Sequence, residues 1–393
     1  MGPVGSPATG IDFIDREKLI PYIENILEKN SVLLVAPRRF GKTSIMRKVE
    51  TNLLARNIPC IFIDVERVTT PWELVTELIM AITESKYIGR KTKFFSALKR
   101  TPAIIKEHFA EIGTDEFHTI LRENNTELEK LWRAKGLEIS SLIKEIDSDV
   151  VILMDEFPIA IQKMEKNDAT KFLNWFRGIR QTNPKLKFVL AGSVSIDSTI
   201  RDLGGVAVLN DVQRIKVEGF EEPIALEIIN QVFNEKGIPY TEHLGKKILQ
   251  CIGLPYIPYF LMIMVSAIVE ESDINGRIIN EKEIVDIYEK RILGAEGIHY
   301  FEHYYRRINT YYPKKYRQAI LSILSEISKT SDYPINLAFD IFRSETGEED
   351  QDLFNNLIAE LSHDFYIEKV GNDKLRFYSK MLKDYWRKYN ARI

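Results

Sequence analysis

The residues from Ala36 to Ser44 have the types and the spacing that could bind a nucleoside triphosphate. They read APRRFGKTS and lie between an apolar run and a segment of helical periodicity. In that context backbone N–H groups and a helix N-terminus face an anion, which predicts a P-loop. Lys42 is expected to reach the β- and γ-phosphates of ATP and Thr43 to ligate Mg²⁺. Ala36 replaces the first glycine of the motif, whereas Gly41, where the backbone comes closest to phosphate, is kept. The predicted nucleotide contacts here are Pro37, Arg38, Arg39, Phe40, Gly41, Lys42, Thr43 and Ser44.

Two adjacent carboxylates, Asp155 and Glu156, follow the apolar run VVILM. A carboxylate at a strand tip beside a P-loop can hold Mg²⁺ through water, and its neighbour can polarise the attacking water. We therefore predict that Asp155 shares the metal with Thr43 and that Glu156 acts on the water.

A third group of candidates could assist hydrolysis. Ser193 ends the apolar run KFVLAGS, where it could sense the γ-phosphate, unless the Gly-Ser pair only closes the strand. An arginine from a neighbouring subunit or from the helical region could stabilise the transition state. Arg177, Arg201 and Arg214 are candidates, although an arginine of this kind is more often a surface ion-pair residue.

The elements that must position these residues form a recognisable pattern. Apolar, β-rich runs at 31–36, 59–65, 150–154, 187–191 and about 212–217 predict buried parallel strands with helix-period segments between them. We predict an α/β P-loop ATPase core over residues 1–217. A charged, strand-free segment at about 87–148 is expected to be a helical insertion.

The rest of the chain changes character after residue 217. Amphipathic patterns predict a helical lid over 218–297, and three helices followed by a two-stranded ribbon predict a winged-helix domain over 298–393. Residues 366–393 carry eight basic residues against three acidic ones, with aromatic residues interleaved. That mixture suits contacts to double-stranded DNA, whereas the alternative is that the aromatic rings pack internally and the charges are solvated.

Composition indicates a soluble globular protein. Apolar residues make up 45% and charged residues 28% of the 393, the formal net charge is −3, and no apolar span is long enough to cross a membrane. Cys60 and Cys251 both lie in apolar stretches, which favours buried reduced thiols. The N-terminal segment lacks the features of a secretion signal. These features lead us to expect a cytoplasmic protein.

Several separated motifs together resemble the archaeal-type ATPase family of STAND/AAA-like P-loop NTPases. They are GPVG and DFIDRE near the start, APRRFGKTS, VVILMDEF, LAGSVS and IGLPYIPYFL. The resemblance covers nearly the whole chain and implies a C-terminal winged helix. It also implies that Arg16 and Glu17 lie near the adenine end of the nucleotide and that Pro255 packs the lid onto it. The chain departs from the family pattern at Asp15, Ala36 and Ile252, where glycine is usual.

Two functions remain open at this point. The first is an ATP-driven switch or motor that controls DNA binding or a protein effector, in defence or mobile-element control, with a homo-oligomer as one arrangement. The second is a regulatory module that holds nucleotide, binds protein and turns over little ATP.

Overall fold

The structure, a computed structural model, describes residues 16–389 apart from residues 17, 38, 86–148, 193–195, 197–198, 201–202, 204–207, 275 and 277. The predicted helical insertion therefore lies outside the described residues. The chain divides into two compact units. The first unit contains Arg16–Ala36 and Lys42–Val217, and the second contains Pro37–Gly41 together with the chain from Glu218 onward. The predicted division of the latter at residue 297 stays a prediction.

A five-stranded parallel sheet forms the centre of the first unit. Its strands are β1 (Ser31–Val35), β2 (Cys60–Asp64), β3 (Val150–Asp155), β4 (Leu186–Gly192) and β5 (Val212–Lys216). They lie in the order β2–β3–β4–β1–β5, and every neighbouring pair is parallel. Every residue of β3 and β4 is buried, as expected when helices cover both faces of a parallel sheet. The predicted buried parallel α/β sheet is confirmed.

Helices of the first unit connect these strands and bury their apolar faces against the sheet. They are α1 (Leu19–Leu27), α2 (Lys42–Ala55), α3 (Pro71–Glu84), α4 (Phe157–Lys163) and α5 (Lys166–Thr182). Phe176 of α5 packs against Phe157 of α4 at 5.4 Å and against Phe188 of β4 at 4.8 Å between ring centroids. This aromatic packing fixes the strands whose ends carry the predicted acidic pair and the Gly-Ser turn.

The second unit begins with helices, as the amphipathic pattern predicts. They are α6 (Glu222–Glu235), α7 (Glu242–Ile252), α8 (Pro258–Asp273), α9 (Glu281–Asp286), which continues as a π-helical turn over Ile287–Ile292, and α10 (Ile298–Tyr311). None of the described helices in the chain has the length and hydropathy to span a bilayer.

A helix–strand–helix–helix–strand–strand segment follows, which is the order of a winged helix. Its elements are α11 (Arg317–Lys329), β6 (Tyr333–Pro334), α12 (Ile335–Thr346), α13 (Gln351–His363), β7 (Ile367–Val370) and β8 (Lys374–Phe377). The three strands form an antiparallel sheet in the order β6–β8–β7.

The basic, aromatic C-terminal segment forms a helix, α14 (Lys380–Tyr389), that the charge count did not predict. Its apolar side is buried: Trp386 is 0% exposed and Tyr385 is 5% exposed. The Tyr389 hydroxyl donates to the Leu293 carbonyl at 2.9 Å. These rings therefore pack internally, which favours the second of the two interpretations of this segment.

Candidate nucleotide site

The loop that follows β1 has a backbone suited to an anion. Arg39 and Gly41 both lie in the left-handed region, with φ of 72° and 82°. Left-handed residues in such a loop turn backbone N–H groups toward one side and form a concavity that binds anions. Gly41 adopts this conformation freely, whereas Arg39 does so against the preference of its side chain. Arg38 lies outside the described residues.

Lys42 begins α2 and is 6% exposed. Its Nζ donates a hydrogen bond to the carbonyl oxygen of Ala36 at 2.8 Å, across the base of the loop. A phosphate oxygen is a stronger acceptor for an ammonium group than a neutral carbonyl. The lysine is therefore placed to exchange this bond for one to the β- or γ-phosphate.

Thr43 and Asp155 meet directly, although they are far apart in sequence. The Thr43 hydroxyl donates to Asp155 Oδ2 at 2.5 Å, and Asp155 Oδ1 accepts from the backbone N–H of Glu156 at 3.0 Å. Because β4 separates β1 from β3 and all strands are parallel, the P-loop and the acidic pair share the carboxyl edge of the sheet.

A hydroxyl and a carboxylate in contact are oxygen donors of the kind that Mg²⁺ prefers. The described residues contain no group of three or more His, Cys, Asp or Glu that could hold a metal alone. Mg²⁺ characteristically keeps several waters and takes one or two protein ligands together with substrate phosphates. The residues present therefore fit a magnesium–nucleotide complex.

The electrostatics of Asp155 support this fit. Burial raises the pKa of its carboxyl above 3.8, and repulsion from Glu156 raises it further, while the Thr43 hydrogen bond and the Lys42 charge act in the opposite direction. The ionised form is thus under-stabilised in a 6% exposed side chain. A bound cation would stabilise that form.

Glu156 is the N-cap residue of α4 and has φ of 55° and ψ of 28°. A non-glycine residue in the left-handed region is uncommon, and such strain clusters at functional sites. The acidic pair therefore differs from an ordinary solvated strand end, and the predicted role of Glu156 remains compatible with its place beside Asp155.

Sequence analysis missed another carboxylate at this edge. Asp64 ends β2 directly opposite Asp155 in the strand register, is exposed, and accepts from the Glu66 backbone N–H at 2.9 Å. The signal was present, since CIFID ends in an acid just as VVILMD does.

Close packing at Gly192 shapes the carboxyl end of β4. A Cβ added there would overlap the ring of Pro158, so only glycine allows α4 to lie this close to β4. Ser193, the next residue, lies outside the described residues, and its predicted sensor role stays a prediction.

Of the three candidate arginines, the structure describes two, and these lie on different elements of the first unit. Arg214 is exposed within β5, Arg177 is half-buried in α5, and Arg201 lies outside the described residues. Arg177 is close enough to Asp211 to help lower its pKa, and Asp211 precedes β5 at the opposite edge of the sheet. Arg180, which sequence analysis did not single out, is buried and forms a bidentate pair with the exposed Asp211 at 3.0 and 2.9 Å.

The three residues that the family resemblance assigned to the nucleotide, Arg16, Glu17 and Pro255, keep those roles as predictions, and Glu17 lies outside the described residues. Arg16 has φ of 82° and its carbonyl accepts from the Ile20 N–H at the start of α1. Pro255 belongs to the second unit and lies beside Gly219. A Cβ added at Gly219 would be 3.2 Å from the Cβ of Pro255.

Comparison with known proteins agrees with this fold. Residues 8–198 match the family described as AAA-ATPase-like, a predicted AAA-ATPase. The chain is similar in structure to the Walker-type ATPase PABY2304 of Pyrococcus abyssi, with 19% identity, 96% of each chain covered and a TM-score of 0.64. It is also similar to the Aeropyrum pernix ORC2 protein in its ADPNP–ADP complexes, with 12% identity, 94% of this chain and 90% of that chain covered and a TM-score of 0.56. Among curated proteins, none matches significantly. The AAA-like P-loop ATPase resemblance indicated by the motifs is confirmed.

Proposed function

We propose that this AAA-like P-loop ATPase hydrolyses ATP with Mg²⁺ and uses the bound nucleotide as a switch that acts on a protein partner. The direct Thr43–Asp155 hydrogen bond carries the catalytic part of the proposal, because it brings the predicted metal ligands of the P-loop and of the acidic strand into contact. Lys42 directly precedes Thr43 and would supply the charge for the phosphates. Glu156 directly follows Asp155 and would supply the general base.

In this proposal each side chain has one task. Lys42 binds the β- and γ-phosphates, while Thr43 and Asp155 hold the cation, which neutralises charge on the phosphate oxygens. Glu156 accepts the proton of the attacking water, and Ser193 orients that water.

The charges of α13 favour a protein partner over duplex DNA. In a winged helix this is the position of the recognition helix that enters the major groove. Helix α13 contains Asp352 and Glu360 and has no lysine or arginine. A DNA backbone would repel such a helix.

Two basic residues that follow α13 in the chain, Arg376 and Lys380, form ion pairs with carboxylates. Arg376 pairs with Asp332 at 3.1 Å, and Lys380 pairs with Asp384 at 2.6 Å. These contacts leave fewer cations of the C-terminal segment for phosphate.

ATP hydrolysis provides the first test of the proposal. Glu156→Gln should keep ATP binding and lower kcat by roughly 10²–10⁴-fold, because it removes a general base without removing the metal ligands. Glu165→Gln, an exposed carboxylate at the start of α5, is the matched control and should leave kcat unchanged. If Glu156→Gln and the wild type hydrolyse ATP at the same measurable rate, another residue positions the water. If the wild type binds ATP but shows no turnover, the chain is a nucleotide-holding module.

ATP binding is tested separately at Lys42. Lys42→Ala should abolish ATP binding, measured by calorimetry with Mg²⁺, because it removes the charge that faces the β- and γ-phosphates. Lys48→Ala on the same helix should bind ATP like the wild type. Micromolar affinity in Lys42→Ala would refute the P-loop assignment.

The choice of partner class is tested with duplex DNA. Fluorescence anisotropy at one fixed salt concentration, with ATP, ADP or no nucleotide, should show no binding tighter than the non-specific range of about 10⁻⁴–10⁻⁶ M. Tighter, nucleotide-dependent binding would replace the protein partner with DNA.

A further inference from the structure

The side chain of Phe40 extends the P-loop into an aromatic cluster of the second unit. Phe40 is 1% exposed, and its ring centroid lies 6.4 Å from those of Phe365 and Tyr378. Phe365 and Tyr378 also pack against each other at 5.1 Å, nearly edge to face at 66°. We call these three residues the aromatic clamp. By its contacts the tip of the P-loop, Pro37–Gly41, belongs to the second unit.

Phe365 occupies a backbone position that normally requires glycine. It follows the end of α13 with φ of 60°, its N–H donates to the Ser362 carbonyl, and the next N–H, of Tyr366, donates to the Leu361 carbonyl. This is the Schellman arrangement, whose left-handed residue is usually glycine and sometimes asparagine. A bulky residue is an outlier there. The helix end therefore gives no reason for phenylalanine, whereas the ring contacts with Phe40 and Tyr378 do.

The neighbours of Phe365 hold it in this conformation. Asp364 accepts from Arg307 at 3.2 Å and from the Tyr312 hydroxyl at 2.9 Å, and the fully buried Tyr366 donates to the Tyr304 carbonyl at 2.7 Å. Strained residues persist only where the surrounding structure over-determines them. Phe365 is such a residue.

Arg39 of the P-loop, like Phe365, is a non-glycine residue in the left-handed region. Its left-handed backbone helps to form the anion-binding concavity, and its guanidinium lies 4.2 Å from the ring centroid of Tyr259, at the start of α8. The two loop residues that precede Gly41 are thus both held by aromatic rings of the second unit.

We propose that the aromatic clamp positions the P-loop for phosphate, with Phe365 and Tyr378 as positioning residues that act through Phe40. The clamp holds Arg39 and Phe40 in the conformation that directs the loop N–H groups to the anion, so it raises nucleotide affinity. This proposal rests on the proposed function, because it concerns the same nucleotide site. It makes the end of α13 the regulatory contact of that site, since whatever displaces Phe365 weakens nucleotide binding.

Phe365→Gly gives a sharp test in the full chain. The substitution removes the ring but supplies the residue that the left-handed position prefers, so the backbone gain offsets part of the lost packing and the protein should stay folded. The Kd for ATP should rise roughly 2- to 12-fold, the range expected for an aromatic pair, while kcat stays within about twofold of wild type. Phe365→Tyr, which keeps a ring, should restore the wild-type Kd.

Asn57→Gly is the matched control. Asn57 has φ of 59° at the same position of a Schellman arrangement after α2, and it is exposed. This variant should leave the Kd unchanged. An equal rise in Kd in Asn57→Gly and Phe365→Gly would overturn the proposal in favour of a general effect of helix ends.

Hydrogen exchange gives a readout that a purely structural role would not move. By reciprocity, saturating ATP should slow exchange of the Phe365 and Tyr366 amides in the wild type. This protection should be lost in Tyr378→Leu. The Tyr378→Leu variant also keeps the test available if Phe365→Gly does not fold. A folded Phe365→Gly with wild-type Kd, or a wild-type amide pattern insensitive to ATP, overturns the proposal. Loss of the proposed function has a different signature, since Lys42→Ala would then bind ATP like the wild type.

Discussion

Replacing Asp155 with asparagine should raise the stability of the ligand-free protein at neutral pH while removing its response to Mg²⁺ and ATP. The carboxylate is 6% exposed, and burial is the largest cause of its raised pKa. Asparagine has nearly the same shape and no charge. Its oxygen can accept from the Glu156 N–H, and its amide can donate to the Thr43 hydroxyl, so both hydrogen bonds survive in neutral form.

The gain in the free energy of unfolding follows from the loss of the buried charge and from the change in the two hydrogen bonds. Burying an ion costs several kcal/mol after relaxation. Two hydrogen bonds to a charged group contribute about 1.5–3 kcal/mol each, against about 0.5–1.5 for neutral ones, so asparagine gives up about 2–3 kcal/mol. The net gain for Asp155→Asn is of order 1–2 kcal/mol.

Thermal unfolding at neutral pH, with EDTA or with Mg²⁺ and ATP, measures both effects. In EDTA the variant should unfold at a higher temperature than the wild type. With Mg²⁺ and ATP the wild type should gain about 2.7 kcal/mol at a hundredfold excess over its Kd, and the variant much less, so the order reverses. A variant that unfolds below the wild type in EDTA, or that gains as much from Mg²⁺ and ATP, would refute the reasoning.

The stability difference between the wild type and Asp155→Asn should depend on pH. The pKa of Asp155 is higher in the folded state than its ordinary value of 3.8, so the folded state takes up the proton first. The wild type should therefore gain stability relative to Asp155→Asn as the pH falls through the raised pKa, and the difference in EDTA should shrink.

Two further comparisons of variants test the packing of the fold. Gly192→Ala should lower the free energy of unfolding by about 1–3 kcal/mol, because the added Cβ overlaps Pro158. Gly178→Ala lies in mid-helix with open space around the added Cβ and should raise that free energy by roughly 0.5–1 kcal/mol. Thermal unfolding compares the two variants. Asp364→Ala should cost about 3–5 kcal/mol in denaturant unfolding, because Arg307 is left buried without its carboxylate, and adding Arg307→Met should recover part of the loss. Equal stability of Gly192→Ala and Gly178→Ala, or no recovery in the double variant, would contradict these assignments.

The sequence predicted the parallel sheet well, and it placed Thr43 and Asp155 at the same edge of that sheet, because both inferences depend on local signals. Strands buried on both faces leave continuous apolar runs, and parallel strands bring their carboxyl ends together whatever lies between them in the chain. That is why Thr43 and Asp155 could be paired before their contact was known.

The helix in the C-terminal segment was not predicted, because the charges of that segment were counted while the spacing of its apolar residues was not considered. Met381, Leu382, Tyr385 and Trp386 are spaced as one face of a helix, and all four are buried in α14. The hydrophobic pattern, applied to these residues, would have predicted the helix. In contrast, the left-handed conformations of Arg39, Glu156 and Phe365 leave no local signal, because in each case the residue is one that the position disfavours.

The contact of Phe40 with Phe365 and Tyr378 has a consequence for building chimaeras of this chain. The tip of the P-loop and the residues from Glu218 onward form one compact unit although the chain separates them by almost two hundred residues. A graft of a relative's C-terminal half onto the first unit would place foreign side chains against Phe40. Position 40 should therefore be exchanged together with positions 365 and 378, and a graft boundary drawn only at residue 217 divides a packed cluster.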